Sequence, residues 1–276
     1  MTKIPAITFN DGRSIPQIGL GVWQTPDEVA DSAVAAALDA GYRHIDTAAI
    51  YGNERGVARG IAQSGVARKD VYVTTKLWNA DQGFDSALRA FDKSLERLGT
   101  DYIDLYLIHW PSPQRNAYVD SWKALVRLRE EGRARSIGVS NFQPEHLQRI
   151  VDETGVAPAL NQIELHPRFQ QKDVRAANEK FGVATESWSP LGSGRLLGDA
   201  AIGKIAAKHH RSPAQAIIRW HLQQGLIVIP KSVTPARIAQ NFDVLDFTLD
   251  ADDMEAFAAL DSKSGRTGPS PINATF

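Results

Sequence analysis

The feature that most constrains this 276-residue chain is the regular alternation of short apolar runs with helical patterns. The runs are residues 18–22, 44–48, 71–77, 102–110, 136–141, 160–165, 183–189 and 226–230. Between them apolar residues recur every three or four positions, as at Leu88, Phe91 and Leu95, which is the spacing of one helix face. Eight successive β-α units predict a parallel sheet with the number of strands that closes into a barrel. We therefore predict an α/β fold, the (β/α)8 TIM barrel.

The chain outside these units predicts two additions to the barrel. Asn10-Asp11-Gly12 is a hairpin turn signal, so residues 1–17 are expected to form a β-hairpin cap on the barrel floor. Residues 18–245 form the barrel, and residues 246–276 a C-terminal helix and a polar tail of a composition typical of mobile segments. No linker divides the chain, so we predict one domain over 1–276. Helix starts are indicated at Thr25-Pro26 and Ser212-Pro213, where a capping residue precedes proline.

Composition and charge exclude several functions. The net charge is −1 and charged residues are spread along the chain, so no basic face for nucleic acid is indicated. The chain has no cysteine, which excludes disulfides and thiolate chemistry. No run reaches the roughly 18 apolar residues of a membrane span, and the start lacks the apolar core of a signal peptide. We expect a cytoplasmic protein that acts on a small molecule.

Polar residues stand where the predicted strands end, which is where active sites form in such barrels. Asp46, Lys76 and His109 end the second, third and fourth strands, and Tyr51 follows Asp46 by five positions. A nearby ammonium stabilises a phenolate, so Lys76 would make Tyr51 a better acid while Asp46 orients Lys76. His109 would donate a hydrogen bond to a carbonyl oxygen. These groups suit protonation of a carbonyl oxygen during its reduction, and no activated Ser or Cys for acyl transfer is evident.

Reduction needs a hydride donor that no side chain supplies, so a cofactor is implied. Lys231 and Ser232 follow the eighth strand, and Thr234-Pro235 begins a helix that carries Arg237 in its first turn. A helix start with two cations would suit a phosphate monoester such as the adenosine 2′-phosphate of NADPH. An ordinary capped helix with solvated charges is the alternative. The glycines of residues 192–198 lack the spacing of a Rossmann signature and are interpreted as a loop over pyrophosphate.

The sequence resembles the aldo-keto reductase family over nearly its whole length. The motifs that carry the resemblance are "GYRHIDTAAIYGNE", "TTKLW", "DYIDLYLIHWP", "IGVSNF", "NQIELHP" and "IPKSVTPARIAQN". It is most similar to the bacterial branch that reduces 2,5-diketo-gluconate and small aldehydes. The resemblance implies the barrel, a preference for NADPH, a small carbonyl substrate, no metal and a monomeric protein.

The resemblance also assigns residues, position by position. It implies that the catalytic set is Asp46, Tyr51, Lys76 and His109, with Tyr51 as general acid. Nicotinamide contacts are expected from Ser140, Asn141 and Gln162, with Trp188 stacking on the ring. Other cofactor contacts are expected from Gly21, Val22, Trp23, Asp46, Ser189, Leu191, Ser193, Lys231, Ser232, Val233, Thr234, Arg237, Gln240 and Asn241. The substrate pocket is expected to contain Trp23, Tyr51, Trp78, His109 and Trp110.

The sequence departs from the family pattern at three of these positions. Trp188 replaces a frequent tyrosine, and stacking should survive the change. Gln240 replaces a common glutamate near the adenine. Thr234 is neutral where related enzymes are often basic, which leaves fewer charges for the 2′-phosphate, so NADH is expected as a weaker alternative cofactor.

Three other functions use the same residues differently. A barrel glycosidase would need Glu164 and Glu186 as its carboxylate pair, but leaves Lys76 and Tyr51 without a role. A metal-dependent hydrolase would use His44, Asp46, His109 and His166, although paired histidines on one strand are missing. A non-catalytic NADP(H)-sensing subunit would keep the same fold and site.

Overall fold

The computed structural model describes residues 4–274. The strands are β1 Ala6–Thr8, β2 Ser14–Pro16, β3 Leu20–Gly21, β4 His44–Asp46, β5 Tyr72–Leu77, β6 Ile103–Ile108, β7 Ala134–Ser140, β8 Leu160–Glu164, β9 Ala184–Trp188 and β10 Ile227–Val228. The helices are α1 Asp27–Ala40, α2 Glu54–Ser64, α3 Phe84–Leu98, α4 Tyr118–Glu130, α5 Pro144–Thr154, α6 Lys172–Lys180, α7 Ala200–Lys208, α8 Pro213–Gln223, α9 Pro235–Phe242 and α10 Ala251–Ala258.

Strands β3 to β10 form one parallel sheet in sequence order, as the eight apolar runs predict. The first and last strands also pair, because Ile18 bridges Val228 and Gly21 bridges Lys231, both in parallel. The Gly19 N–H donates to the Val228 carbonyl over 2.9 Å, which joins the two ends of the sheet. The predicted (β/α)8 barrel with its N-terminal hairpin and C-terminal helix is confirmed.

Two apolar layers hold the barrel. The larger lies between the sheet and the surrounding helices, where residues such as Tyr106 and Val139 are buried. The smaller fills the lower barrel interior, where Leu105 and Leu107 of β6 pack with Ile15 of the hairpin. Apolar burial of this kind stabilises a fold by about 25 cal/mol per Å². Above the smaller layer the barrel interior becomes polar, and that change places the site.

The hairpin of β1 and β2 lies on the barrel floor, as predicted. Its strands pair antiparallel, and Gly12 takes the left-handed φ of +80° that the turn requires. The Ser136 hydroxyl, in β7, donates to Asp11 Oδ2 over 2.8 Å and ties the turn to the lower end of the sheet. The hairpin therefore closes the end opposite the strand termini that carry the polar residues.

The two predicted helix starts have different outcomes. Ser212 caps α8, where its hydroxyl accepts from the Gln215 N–H and Gln215 accepts from the Ser212 N–H. Thr25 does not cap α1, because Pro26 occupies the capping position and the buried Thr25 hydroxyl has no partner among the described residues. Within residues 4–274, no helix is both long and apolar enough to span a membrane.

Candidate active site

A cavity of about 500 Å³ opens at the C-terminal ends of the barrel strands. The predicted site residues that line it are Gly21, Trp23, Asp46, Tyr51, Trp78, His109, Trp110, Ser140, Asn141, Gln162, Trp188, Ser189, Ser193 and Lys231. They come from all parts of the chain and meet here because the ends of parallel strands face one mouth. The arrangement combines a polar floor with aromatic walls.

An ion pair lies at the floor of the cavity, where Asp46 lines the cavity and Lys76, buried next to it, does not. Lys76 Nζ donates to Asp46 Oδ1 over 2.6 Å and to the Thr47 carbonyl over 2.8 Å, and the lysine side chain is fully buried. Burial alone would lower the pKa of Lys76, but the negative charge of Asp46 and the nearby Tyr51 raise it. Lys76 therefore holds its positive charge inside the barrel.

Tyr51 ends a short 3-10 turn, Ala49–Tyr51, that follows β4 and brings its ring over the lysine. Lys76 Nζ lies 5.2 Å from the ring centroid, so its charge acts directly on the phenol. Burial raises the pKa of Tyr51, and the charge of Lys76 lowers it by less. As expected, Lys76 by itself lowers the pKa of the phenol. Desolvation raises that pKa by more, so the net pKa of Tyr51 is above its ordinary value.

His109 lies beside Tyr51 and Trp78, with ring centroids 5.6 and 5.3 Å away. Burial and the charge of Lys76 hold the pKa of His109 well below its usual range. Its Nδ1 atom is buried and has no partner among the described residues. The ring is therefore a neutral imidazole beside the phenol, suited to donating a hydrogen bond without becoming charged.

The residues expected at the nicotinamide are joined in a network of their own. Both N–H groups of the Asn141 amide are used, toward the His109 carbonyl and the Ser140 hydroxyl, and Asn141 Oδ1 accepts from the Trp188 indole over 2.9 Å. Gln162 Nε2 donates to two carboxyl groups, which leaves its Oε1 as the atom free for a ligand. Asn141 and Ser189 adopt positive φ angles of 64° and 48°, a strain that is common at ligand sites.

The residues predicted for the phosphate end lie at and beyond the rim of the cavity. Lys231, Val233, Thr234, Arg237 and Gln240 are exposed, and neither Lys231 nor Arg237 forms an ion pair with a described residue. The remaining predicted cofactor residues that do not line the cavity are Val22, Leu191, Ser232 and Asn241. Val22 is part of the core between sheet and helices, so its side chain contributes packing.

The C-terminal tail forms part of the site, which the sequence did not predict. Thr267, Gly268 and Pro269 line the cavity, because the tail folds back across the barrel mouth. Further lining residues that were not predicted are Gln24, Ile50, Pro190 and Ile229. A Cβ atom on Gly268 would lie 2.5 Å from Trp188, so only glycine fits against that indole. No local pattern marks such a contact, because it joins residues 80 positions apart.

Glu164 holds this tail in place. Its Oε1 accepts from the Thr267 N–H and hydroxyl, both over 2.6 Å, and its Oε2 accepts from the Gly268 N–H over 3.1 Å. His166 Nε2 and Arg266 also lie near the carboxylate, at 3.3 and 3.8 Å. The carboxylate is thus used as an anchor for the chain rather than directed into the cavity.

The contacts of Glu164 and Glu186 argue against the glycosidase. Neither is among the described residues that line the cavity, and both carboxyl groups are engaged by the protein, Glu164 by the tail and Glu186 by Gln162. Among residues 4–274, no group of three or more His, Asp or Glu side chains is arranged to hold a metal ion. His44 lies inside the barrel and His166 beside the tail, apart from His109.

Comparison with known proteins identifies relatives over the whole chain. Residues 17–262 match the model of the aldo/keto reductase family. An aldo-keto reductase of Mycolicibacterium smegmatis is 60% identical over 99% of this chain and 98% of its own length. The methylglyoxal reductase DkgA of Escherichia coli is 50% identical over 98% of each chain.

Solved structures show the same barrel. The apo crystal structure of Gox0644 superposes with a TM-score of 0.96 at 55% identity, covering 99% of this chain and 100% of that one. A variant of Gox0644 has been solved in complex with NADPH, with the same TM-score, identity and coverage.

Proposed function

The chain belongs to the aldo/keto reductase family, and we propose that it reduces small aldehydes and ketones to alcohols with NADPH. One observation carries the proposal: Asp46, Tyr51 and His109 line a single cavity walled by tryptophans, and the buried Lys76 is hydrogen-bonded to Asp46. No other chemistry considered above uses a phenol, a buried ammonium and a neutral imidazole together. The relatives named as methylglyoxal reductases support the same reaction class.

Each of the four residues has a separate task. His109, a neutral imidazole, donates a hydrogen bond that orients the carbonyl oxygen. Tyr51 gives its proton to that oxygen as negative charge develops there. Lys76 stabilises the phenolate that remains, and Asp46 keeps Lys76 charged and in place. Because these groups are preorganised, little rearrangement is needed during the reaction.

The cavity also fits a nicotinamide cofactor, which when bound supplies the hydride. Gln162 Oε1 and the second lone pair of Asn141 Oδ1 are acceptors, which matches the NH₂ group of a carboxamide. Trp188 lines the cavity with its indole fixed by Asn141, as a stacking platform requires. Lys231 and Arg237 stand exposed at the end of β10 and would bind the 2′-phosphate.

The cavity favours small substrates. Its volume of about 500 Å³ must hold both the nicotinamide and the carbonyl compound, and Trp23, Trp78 and Trp110 contribute broad apolar surface. We therefore propose small dicarbonyls, keto-sugars and aldehydes as substrates, reduced by a monomeric, single-domain protein.

The test follows NADPH absorbance with methylglyoxal, 2,5-diketo-gluconate and a nitrobenzaldehyde. Carbonyl-dependent oxidation is expected with at least one of them, and Tyr51→Phe should lower its rate by about 10²–10⁴-fold without loss of NADPH binding. Tyr106→Phe is the matched control, since the Tyr106 hydroxyl is buried outside the cavity and has no partner among the described residues.

Two outcomes would contradict the proposal. NADPH binding without oxidation by any carbonyl would indicate a sensing subunit instead of an enzyme. Full activity of Tyr51→Phe would exclude the phenol as the acid.

A further inference from the structure

A second carboxyl group lies in the barrel interior beneath the four residues, and the proposed mechanism does not use it. Glu186, in β9, is fully buried and is not among the described residues that line the cavity. Its Oε2 accepts from Gln162 Nε2 over 2.8 Å, and the same nitrogen donates to Asp46 Oδ2 over 2.8 Å. One amide group therefore connects Glu186 to the acid that holds Lys76.

The groups that face Glu186 contain one other carboxyl group, Asp46, and one cation, Lys76. Asp46 and His44 approach from β4, Lys76 and Tyr72 from β5, and Tyr51 from the turn after β4. Lys76 is the only cation among these described groups, and it already pairs with Asp46 at 2.6 Å. Burial lowers the pKa of His44 to about 3, so His44 adds no positive charge.

A second negative charge in this interior would have no partner. An unpaired buried carboxylate is far less stable than the neutral acid. Glu186 Oε1 accepts no hydrogen bond from a described residue, and His44 Nε2 lies 3.7 Å from it. This oxygen is therefore the place for a proton. Burial and the charge of Asp46 raise the pKa of Glu186 to about 8.

We infer that Glu186 is a positioning residue, held as a neutral carboxylic acid beneath Asp46, Lys76 and Tyr51, whose ionisation sets the alkaline limit of carbonyl reduction. The inference rests on the proposed function for its kinetic part. The neutral acid leaves Asp46 as the single counter-charge of Lys76. When Glu186 loses its proton, the new negative charge raises the pKa of Tyr51 and of Lys76, so the phenol becomes a poorer acid.

The kinetic test compares wild type with Glu186→Gln, which keeps an acceptor for Gln162 but cannot ionise. In wild type, kcat/KM for the carbonyl is expected to decrease on the alkaline side of its pH profile, by about tenfold per pH unit, once Glu186 ionises. In Glu186→Gln that limb should move upward by a pH unit or more, with little change at pH 6 to 7. Asp104→Asn is the matched control, a buried acid at the opposite end of β6 that should keep the wild-type limb.

A second measurement uses the protein without cofactor or substrate. The folded state holds a proton on Glu186 that the unfolded chain releases above its ordinary pKa of 4.5. Wild type should therefore lose urea stability relative to Glu186→Gln as pH rises from 4.5 to about 8, and the difference should then level off. If Glu186→Gln does not fold, the infrared C=O stretch of a protonated carboxyl is expected in wild type at pH 6 and absent at pH 10.

The outcomes separate the two proposals. Three outcomes would each overturn the role of Glu186. The alkaline decrease of kcat/KM could stay at the same pH in Glu186→Gln, the urea stabilities of wild type and Glu186→Gln could change with pH in parallel, or the infrared spectrum could show no protonated carboxyl at pH 6. Wild-type protein that never oxidises NADPH would instead overturn the proposed function, and the urea and infrared measurements would still decide the state of Glu186.

Discussion

Lys76 Nζ lies 2.6 Å from Asp46 Oδ1, and the two residues belong to neighbouring parallel strands whose register sets Asp46 beside Thr74. Residues two apart on a strand face the same side, so Lys76 shares the inner face of β5 with Thr74. The ion pair is thus a consequence of strand register, and because both side chains are almost fully buried, solvent screens the pair only weakly. Burial strengthens the attraction between the two charges and also imposes the free-energy penalty of desolvating them.

Asp46→Asn should destabilise the protein by about 3–5 kcal/mol, because it leaves Lys76 buried without a counter-charge. Urea unfolding at pH 7 measures the loss, and carbonyl reduction should fall as well. Asp104→Asn is the control, because the partners of this buried acid, Arg68 and Arg135, are 23% and 40% exposed and keep contact with solvent when the charge is removed. Equal losses in the two variants would contradict an uncompensated charge at Lys76.

His109 should make the protein less stable as pH falls below 6.5. Its pKa in the folded state is well below that value, so the unfolded chain binds a proton that the folded chain refuses. Relative to His109→Gln, wild type should lose about 1.4 kcal/mol of urea stability per pH unit between 6.5 and 5. The pH profile of kcat/KM should show no limb near 6.5. Parallel stability curves would show that the imidazole titrates normally.

The choice between NADPH and NADH should depend on charge at the start of α9. Arg237→Ala is expected to raise KM for NADPH at least several-fold and leave KM for NADH nearly unchanged, because only NADPH carries the 2′-phosphate. Thr234→Arg should lower KM for NADPH by adding a third cation. Steady-state kinetics with both cofactors measures the ratio, and NADH provides the internal control. Equal effects on both cofactors would place the phosphate site elsewhere.

Glu164→Gln should release the tail from the barrel mouth, since an amide NH₂ would face donors that the carboxylate now accepts. Hydrogen bonds to a charged group contribute about 1.5–3 kcal/mol each, so faster hydrogen exchange at Thr267 and Gly268 is expected. KM for the carbonyl should rise, because these residues form part of the wall. Glu255→Gln, an exposed position on α10, should leave the exchange of the tail unchanged.

The contact between Glu164 and the tail should persist in mild acid. Burial alone would raise the pKa of Glu164, but hydrogen bonds from His166, Thr267 and Gly268 bring it below its ordinary value of 4.5. A lowered carboxyl pKa contributes stability that is present above 4.5 and is lost as pH falls through the folded value. Protection of the tail that disappears already at pH 6 would contradict this assignment.

The sequence alone determined the eight strands, the hairpin and the positions of Asp46, Lys76 and His109 at strand ends. These follow from local periodicity and from the rule that parallel strands end at one mouth, so neighbouring residues carry the information. Tertiary structure alone decided that the tail crosses that mouth and that Glu164 anchors it. It also decided that burial raises the pKa of Tyr51 despite Lys76. The burial of a group and the charges around it depend on residues from many strands, so no single stretch of sequence predicts them.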